Sequence, residues 1–319
     1  MSHVAVVTDS TAGLSPEQAR ALGCLGVEIV PLHVLVDDEV FTEGVDIDTQ
    51  GVLEALRHRR TVSTSRPTPT AMLAAYEQLA DQGASHIVSA HLSAQLSGTC
   101  DAAVLAARDA PVPVHVVDSR SAGASLGYAV ATGARLARAG ATAKQITDAI
   151  ERRCAQSTVL LYVHSLEQLR RGGRIGAAAG LLGGALAIKP LLALVDGHIE
   201  PVERLRTTSR AMARLTELSG HAVTVAGPKV DVAIHHAGAR ERAEQVAAAL
   251  DEILADEWAR AWPDTAADDA VAHLPIPGAD VVANPGAPGR PRVQVLDLPA
   301  VLAVHLGPGT LAAVVSPRP

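Results

Sequence analysis

The stretch "HIVSAHLSAQLSGTCDAAVLAARDA", residues 86–110, decides the fold class of this chain. It opens with an apolar, partly β-branched run that predicts a buried strand. It closes with an alanine- and leucine-rich segment that predicts a helix. Between the two, the loop "LSAQLSGT" supplies the hydroxyls of Ser93, Ser97 and Thr99 next to Gly98. A strand that passes through a polar loop into a helix is typical of a parallel α/β sheet.

The same alternation extends in both directions. "HVAVVTDS" (3–10) predicts the first strand, and "SPEQARALG" (15–23) predicts a helix with Ser15 as its N-cap and Pro16 at its first position. "VEIVPLHVLV" (27–36) predicts a single strand, and further strand–helix pairs continue to "TVLLYV" (158–163). We therefore expect an α/β N-terminal domain, residues 1–163, with a mostly parallel sheet and flanking helices.

The pattern changes in residues 164–319, which predict a C-terminal α+β domain. Asp196-Gly197 joins two extended runs and predicts a hairpin. Residues 263–294 are rich in Pro, Gly, Ala and Asp and predict a long loop. "LPAVLAVHLGPGTLAAVV" (298–315) predicts a strand, a Gly-Pro-Gly turn and a final strand or short helix.

Composition narrows the class of protein. The chain has 319 residues, which suggests about two domains, and 48% hydrophobic residues, which excludes wholesale disorder. The formal net charge of −7 argues against a nucleic-acid partner. Three scattered cysteines (Cys24, Cys100 and Cys154) are typical of a reducing compartment, and the N-terminus lacks the pattern of a signal peptide. We therefore expect a cytoplasmic protein.

The most apolar stretch, residues 175–195, is interrupted by Lys189-Pro190 and contains four glycines. These features favour a buried helix that runs into a strand over a transmembrane helix, so we expect no stable membrane insertion.

Hydroxyl-rich stretches follow several predicted strands: residues 8–13, 93–99 and 118–123. A fourth, "TVSTSRPTPT" (61–70), precedes a helix and contains Thr64 and Ser65. Helix capping accounts for one such stretch, but several at one sheet edge favour a polar pocket. The chain has no P-loop or dinucleotide-binding motif. Hydroxyls and backbone N–H groups without a lysine favour a carboxylate ligand.

Two arginine-containing segments and one serine each have more than one possible role. "RRGGRI" (170–175) and the pair Arg204 and Arg206, placed on one strand face, are either solvated or offered to an anion or acidic partner. "GASLG" (123–127) matches the nucleophile elbow of α/β-hydrolases, with Ser125 as nucleophile and Asp196 and His305 as partners. His235-His236 lacks metal-site context, so we expect no metal.

Five motifs in order resemble the DegV family of fatty-acid-binding proteins. They are "VVTDSTAGL", "TSRPTP" (64–69), "LSAQLSGT" (92–99), "LEQLRRGGRI" with "IKPLL", and "VHLGPGT" (304–310). The resemblance covers nearly the whole chain. Any one of these motifs is a weak signal, but their shared order and spacing make the resemblance strong.

The resemblance implies a non-enzymatic carrier that buries a long acyl chain, has no other cofactor, and holds the carboxylate at Thr64 and Ser97, with Ser65 and Gly98 beside them. It also implies a bacterial fatty-acid kinase partner, an ATP-binding subunit to which the carrier presents the carboxylate for acyl-phosphate formation. By the same analogy, Arg174, Arg206 and His305 contact the phosphate, the carboxylate or the partner.

The sequence departs from the family pattern at Thr68, Cys100 and Leu306 and in the stretch 256–294. These departures bear on the preferred acyl length and the partner. A serine acyl hydrolase using Ser125 and a lipid-sensing regulatory module are the alternative functions.

Overall fold

A computed structural model describes residues 3–14, 16–181, 188–261, 280–281 and 292–319. The strands are β1 Val4–Asp9, β2 Val27–Val30, β3 His33–Val36, β4 Glu39–Thr42, β5 Val62–Ser65, β6 His86–His91, β7 Val114–Asp118, β8 Thr158–Tyr162, β9 Lys189–Val195, β10 His198–Leu205, β11 Val230–His236, β12 Asp280–Val281, β13 Val293–Asp297 and β14 Leu311–Pro317. The α-helices are α1 Pro16–Gly23, α2 Thr49–Arg57, α3 Pro69–Asp81, α4 Thr99–Ala107, α5 Ala124–Arg138, α6 Ala143–Gln156, α7 Glu167–Arg171, α8 Thr208–Ala226, α9 Arg240–Ala261 and α10 Ala300–Leu306.

The first sheet is parallel and has the strand order β2-β1-β6-β7. Its strands are apolar on both faces because helices cover both. Helices α5 and α6 contribute to the core on one face, and α3 and α4 contribute to the core on the other. The predicted α/β class is confirmed, and the stretch 86–110 forms β6, a polar loop and α4 as predicted.

The second sheet is mixed, with the order β10-β9-β8-β14-β11-β13-β12 in the described residues. Helices α8 and α9 pack on one of its faces. The other face meets α10 and the start of α5, and every residue of α5 from Ala124 to Ala134 is buried. Arg153 links α6, which packs on the first sheet, to the second sheet. It donates hydrogen bonds to Ser316 of β14 and Asp231 of β11.

A third, antiparallel sheet has the order β4-β3-β5 and packs with α2 and α10. The predicted single strand 27–36 is therefore wrong: β2 lies in the first sheet and β3 in the third. Pro31 lies between them, and a proline has no N–H to donate to a strand ladder. The sequence patterns also missed α2.

Three further predicted elements differ from the structure. The strand predicted at 158–163 pairs with β9 and β14, not with the first sheet, although the domain division at residue 163 stays a prediction. The first strand predicted within 298–315 is the helix α10, since a short apolar run does not distinguish a buried strand from a buried helix. The stretch 175–195 was predicted as a buried helix that runs into a strand. Gly176–Leu181 is instead a short 3-10 helix with most of its residues exposed, residues 182–187 lie outside the described residues, and β9 is the predicted strand.

The Asp196-Gly197 hairpin between β9 and β10 is confirmed, with His198 opposite Val195. Helix α1 is also confirmed, but its predicted N-cap, Ser15, lies outside the described residues. Most of the predicted loop 263–294 lies outside them too. Only β12 and the first residues of β13 are described there.

Candidate functional site

An apolar cavity of about 340 Å³ lies between the second sheet, helix α10 and the loops that follow β5 and β6. This volume is within the range of small-molecule pockets, about 300–1,000 Å³. Most of the lining side chains are aliphatic. At one end they give way to hydroxyls, arginines and a histidine, so the cavity has an apolar body and a polar end.

The sheet side of the cavity is built by cross-strand rows. Val159 on β8 lies opposite Val314 on β14, and Leu194 on β9 lies opposite Ile199 on β10. Continuing the register that pairs Leu160 with Ala193 places Val159 beside Leu194. Residues of one row share a face of the sheet, so these four side chains form a continuous apolar surface.

A second row crosses the sheet at Leu161, Ala312 and His235. The small side chain of Ala312 lies in the middle of this row and leaves space for the cavity. His235 is fully engaged: the backbone N–H of Ala124 donates to its Nε2 at 3.0 Å, and its Nδ1 lies 3.0 Å from the carbonyl oxygen of Asp297. Burial lowers the pKa of His235 to about 4, so the ring is neutral at physiological pH.

The polar end contains Thr64 and His305, which β5 and α10 bring together. Thr64 Oγ1 lies 2.8 Å from His305 Nε2. The Nδ1 atom of His305 is buried and has no hydrogen-bond partner among the described residues. Burial, with the nearby Arg174 guanidinium as the second cause, lowers the pKa of His305 to about 4. The pair is therefore neutral at physiological pH.

Helix α10 is held in place by the third sheet and α2. The carboxylate of Glu43 accepts the backbone N–H of Val301 at 2.9 Å and the hydroxyl of Ser10. Burial raises the pKa of Glu43, while these hydrogen bonds oppose that rise. Thr49 of α2 donates to the carbonyl of Leu298, just before α10. These contacts fix the position of His305 at the cavity.

The loop after β6 brings Ser97 and Gly98 to the same polar end. Ser97 Oγ lies 2.8 Å from Thr99 Oγ1 at the start of α4. Ser93 accepts the N–H of Gln95 and donates to the carbonyl of Gly197, so it supports the loop against the β9–β10 hairpin. The loop hydroxyls thus divide into Ser97, which faces the cavity, and Ser93, which supports the loop.

Two arginines flank these hydroxyls. Arg174 donates from Nε to the carbonyl of Leu96 at 2.9 Å and also bonds the carbonyl of Gly172, so its guanidinium is fixed at the cavity. The sequence motifs did not single out Arg66, yet it lines the cavity as well. A Cβ atom at Gly98 would lie 1.9 Å from Arg66 Nη1, so a side chain at this position would displace the exposed guanidinium of Arg66. The sequence feature that could have predicted Arg66 as a lining residue is its basic side chain between Ser65 and Pro67, inside a predicted ligand-binding motif.

The structure thus brings Thr64, Ser65, Ser97, Gly98, Arg174 and His305 to one cavity. Arg206 is not among its lining residues. It is exposed and follows the end of β10 at Leu205, so it does not share a strand face with Arg204 as predicted. Its contact with a phosphate or partner stays a prediction.

The hydrolase arrangement around Ser125 is not assembled. Ser125 lies in the first turn of α5, fully buried, and its Oγ has no hydrogen-bond partner among the described residues. His305, its predicted base, bonds Thr64 instead, and Asp196 lies exposed in the hairpin turn. A nucleophile elbow needs its serine exposed and bonded to a histidine, so this match is a chance one.

The expectations of no metal site and of no membrane insertion stay predictions. No group of three or more His, Cys, Asp or Glu side chains in that part of the chain is arranged to hold a metal ion. No described helix is both long and apolar enough to cross a membrane.

The fold and cavity define an α/β protein with an apolar cavity and a hydroxyl-rich polar end. The sequence profile of the DegV family of uncharacterised proteins matches residues 3–261, and the chain belongs to this family. A DegV domain-containing protein of Streptomyces coelicolor is 44% identical over 316 residues, covering 99% of each chain. The predicted resemblance is therefore confirmed.

Solved structures show the same fold. A DegV family protein from Thermus thermophilus, described as binding fatty acid, is 29% identical with a TM-score of 0.78, over 99% of this chain and 100% of that one. DegV of Bacillus subtilis, described as a fatty acid binding protein, is 25% identical with a TM-score of 0.79, over the full length of both chains.

Proposed function

We propose that this protein binds a long-chain fatty acid, with the acyl chain in the apolar cavity and the carboxylate at Thr64 and Ser97. The observation that carries the proposal is the polarity of the cavity, in which three hydroxyl side chains and two arginines lie at one end of an aliphatic chamber. Family membership and the fatty-acid-binding relatives support it.

The energetics suit such a ligand. Each buried CH₂ group contributes about 0.8 kcal/mol, so a long alkyl chain supplies most of the affinity before association costs are subtracted. The hydroxyls of Thr64 and Ser97 then replace the water that the carboxylate loses, and Arg66 and Arg174 favour its ionised form. The neutral His305 adds a hydrogen-bonding group without a second buried charge.

We also propose that the protein is a carrier that presents the carboxylate to a separate ATP-binding kinase subunit in the cytoplasm, and that it has no catalytic residues or other cofactor. A recess of about 180 Å³ supports this role, because Thr64, Arg174 and His305 line both this recess and the acyl cavity. Arg171 and Gln168 are among its other lining residues. A carboxylate held at Thr64 is thus within reach of groups outside the cavity.

Native mass spectrometry of the purified protein tests the binding proposal. We expect a co-purified fatty acid, or uptake of palmitate or oleate by delipidated protein. A clean apo mass with no uptake would overturn the proposal.

Incubation of the loaded protein with ATP and the host's kinase subunit tests the carrier role. Formation of acyl phosphate would support it, and its absence would favour a lipid-sensing regulatory module.

A further inference from the structure

Three basic side chains, His164, Lys189 and Arg242, form a cluster at the Gly-Pro-Gly turn (307–309) that joins α10 to β14. His164 follows β8, Lys189 begins β9, and Arg242 lies in the first turn of α9. A Cβ atom at Gly309 would lie 3.5 Å from Arg242 Nη2 and 3.7 Å from His164 Cβ. Lys189 Nζ donates to the carbonyl oxygen of His164 at 3.2 Å and lies 3.1 Å from its Nε2. Segments distant in sequence thus bring three basic groups together.

No carboxylate neutralises this basic cluster within the described part of the chain. Neither Lys189 nor Arg242 forms an ion pair there, whereas Arg240, in the same turn of α9, pairs with Glu244. Glu241 lies in this turn too, but it is exposed and forms no ion pair with Arg242 in those residues. The positive charges of the cluster are therefore uncompensated.

The two fixed charges also act on the histidine. Burial lowers the pKa of His164, and the charges of Lys189 and Arg242 lower it further. The ring is therefore neutral at physiological pH, and the cluster carries two positive charges. His164 is exposed and the other two side chains are half-buried, so ions in solution can reach them. On a chain with a formal net charge of −7, such a local positive region attracts an anion.

The basic cluster lies beside the N-terminus of α9, which adds to its positive potential. The N–H of Gly309 donates to the carbonyl of Ala237, so the turn packs against the loop that enters this helix. Ala239 accepts the N–H of Ala243 and occupies the N-cap position, where it has no side-chain oxygen for the first N–H groups of the helix. The positive end of the helix dipole is therefore not covered by an N-cap side chain, and such an end favours anions.

We propose that the basic cluster binds a phosphate group, either as the free ion or as the terminal phosphate of a small molecule such as a nucleotide. Two fixed positive charges match the charge of nearly −2 that a phosphate monoester carries at about pH 7. Lys189 supplies a point charge, Arg242 a planar set of N–H donors, and the neutral His164 one further donor. None of the three lines the acyl cavity or the recess at His305, so the proposal does not depend on fatty-acid binding.

Isothermal titration calorimetry with sodium phosphate at low ionic strength tests the site. The variant Lys189→Gln/Arg242→Gln removes both charges. Arg138→Gln/Arg152→Gln is the matched control, because it removes two exposed cations of α5 and α6 that have no ion pair in the described residues. We expect Kd for phosphate to rise about tenfold or more in the cluster variant and to stay within about twofold of the wild-type value in the control.

Acetate and AMP serve as further probes in the same titrations. Acetate carries a single charge, so we expect it to bind about tenfold more weakly than phosphate. If the cluster variant weakens both AMP and inorganic phosphate, the proposal holds, and the tighter of the two ligands in the wild-type protein identifies the source of the phosphate group. Equal binding of acetate and phosphate, or equal Kd values in the cluster and control variants, would overturn the proposal.

A second measurement does not need the double variant, so it decides the question even if that variant fails to fold. Ring-proton NMR follows the titration of His164, whose signal is the one missing from the spectrum of His164→Gln. A bound phosphate favours the imidazolium form, so the pKa of His164 should rise when phosphate is added, relative to sodium chloride of equal ionic strength. An unchanged titration in saturating phosphate would contradict the proposed site.

Discussion

His91 and His305 each hydrogen-bond a hydroxyl, but the surroundings of the two rings differ. His91 Nε2 lies 2.7 Å from Ser89 Oγ, and its Nδ1 lies 3.0 Å from the carboxylate of Asp9. All three side chains are fully buried in the first sheet. His305 also bonds a hydroxyl, that of Thr64, but its second nitrogen has no partner in the described residues and its ring lines a cavity.

The difference separates a structural network from a candidate binding site. Asp9, His91 and Ser89 have the residue types and distances of a hydrolase triad, yet each is 0% exposed, so a substrate cannot reach Ser89. The groups at the polar end of the cavity also have internal hydrogen bonds, as between Thr64 and His305, but Thr64, Ser97 and His305 line a cavity that a ligand can enter. In this fold, open hydrogen-bonding capacity beside a cavity marks the site better than residue types do.

The largest effect is expected from Asp9→Ala, which breaks the closed network. The Asp9 carboxylate accepts hydrogen bonds from the N–H and hydroxyl of Thr11, from the N–H of Leu92 and from His91. Its removal leaves these buried donors without an acceptor, which costs about 3–5 kcal/mol in comparable buried pairs. Equilibrium urea unfolding measures the loss.

Asp118→Ala is the control for this prediction. Asp118 ends the strand next to β6 and also accepts backbone N–H groups, from Ala94 and Arg120, but it is only half-buried. We expect a loss of about 1 kcal/mol there, since water replaces the missing acceptor. Equal losses at Asp9 and Asp118 would contradict the view that the Asp9 network depends on its burial.

A smaller effect is expected from the pH dependence that His305 contributes to stability. Its folded-state pKa of about 4 lies below the ordinary value of 6.5. Between these values the unfolded chain binds a proton that the folded protein does not, so stability is full above about pH 6.5 and falls as the pH drops towards 4. From about pH 7 to about pH 5 the free energy of unfolding should fall by about 2 kcal/mol through this group alone.

His305→Gln isolates that contribution, because His235 and the other histidines titrate alike in both proteins. We expect the difference in unfolding free energy between wild type and His305→Gln to shift by about 2 kcal/mol between the two pH values, in favour of the variant at the lower one. A difference that stays constant with pH would show that His305 titrates normally in the folded protein.

The sequence patterns predicted the parallel sheet well because its strands are apolar on both faces and alternate with helices. They failed where short apolar segments have no distinguishing period. "PAVLAVHL" forms a helix rather than a strand, and "VEIVPLHVLV" divides between two sheets. Which sheet a strand joins depends on contacts distant in sequence, so the place of Thr158–Tyr162 in the second sheet was not predictable from its own composition.

The site shows the same limit. Motif resemblance pointed to Thr64 and Ser97, and the structure brings both to the cavity. Arg66 escaped notice because nothing in its own position predicts that its guanidinium lies over Gly98, a residue distant in sequence. The apolar surface formed by Val159, Val314, Leu194 and Ile199 depends on the register of four neighbouring strands, which no local pattern encodes.

The smallest effect is expected from removing single hydroxyls at the polar end of the cavity. Thr64→Val keeps the shape of the side chain and removes the hydroxyl that faces both His305 and the cavity. Ser97→Ala removes the other hydroxyl at that end. Each hydroxyl is expected to contribute about 1–1.5 kcal/mol to carboxylate binding, so Kd for palmitate should rise about tenfold in either variant, with the fold retained. Displacement of a fluorescent fatty acid gives Kd.

Ser93→Ala is the control because Ser93 bonds Gly197 within the protein, and its Kd should stay near the wild-type value. If Thr64→Val and Ser97→Ala bind palmitate as Ser93→Ala does, these hydroxyls do not hold the carboxylate.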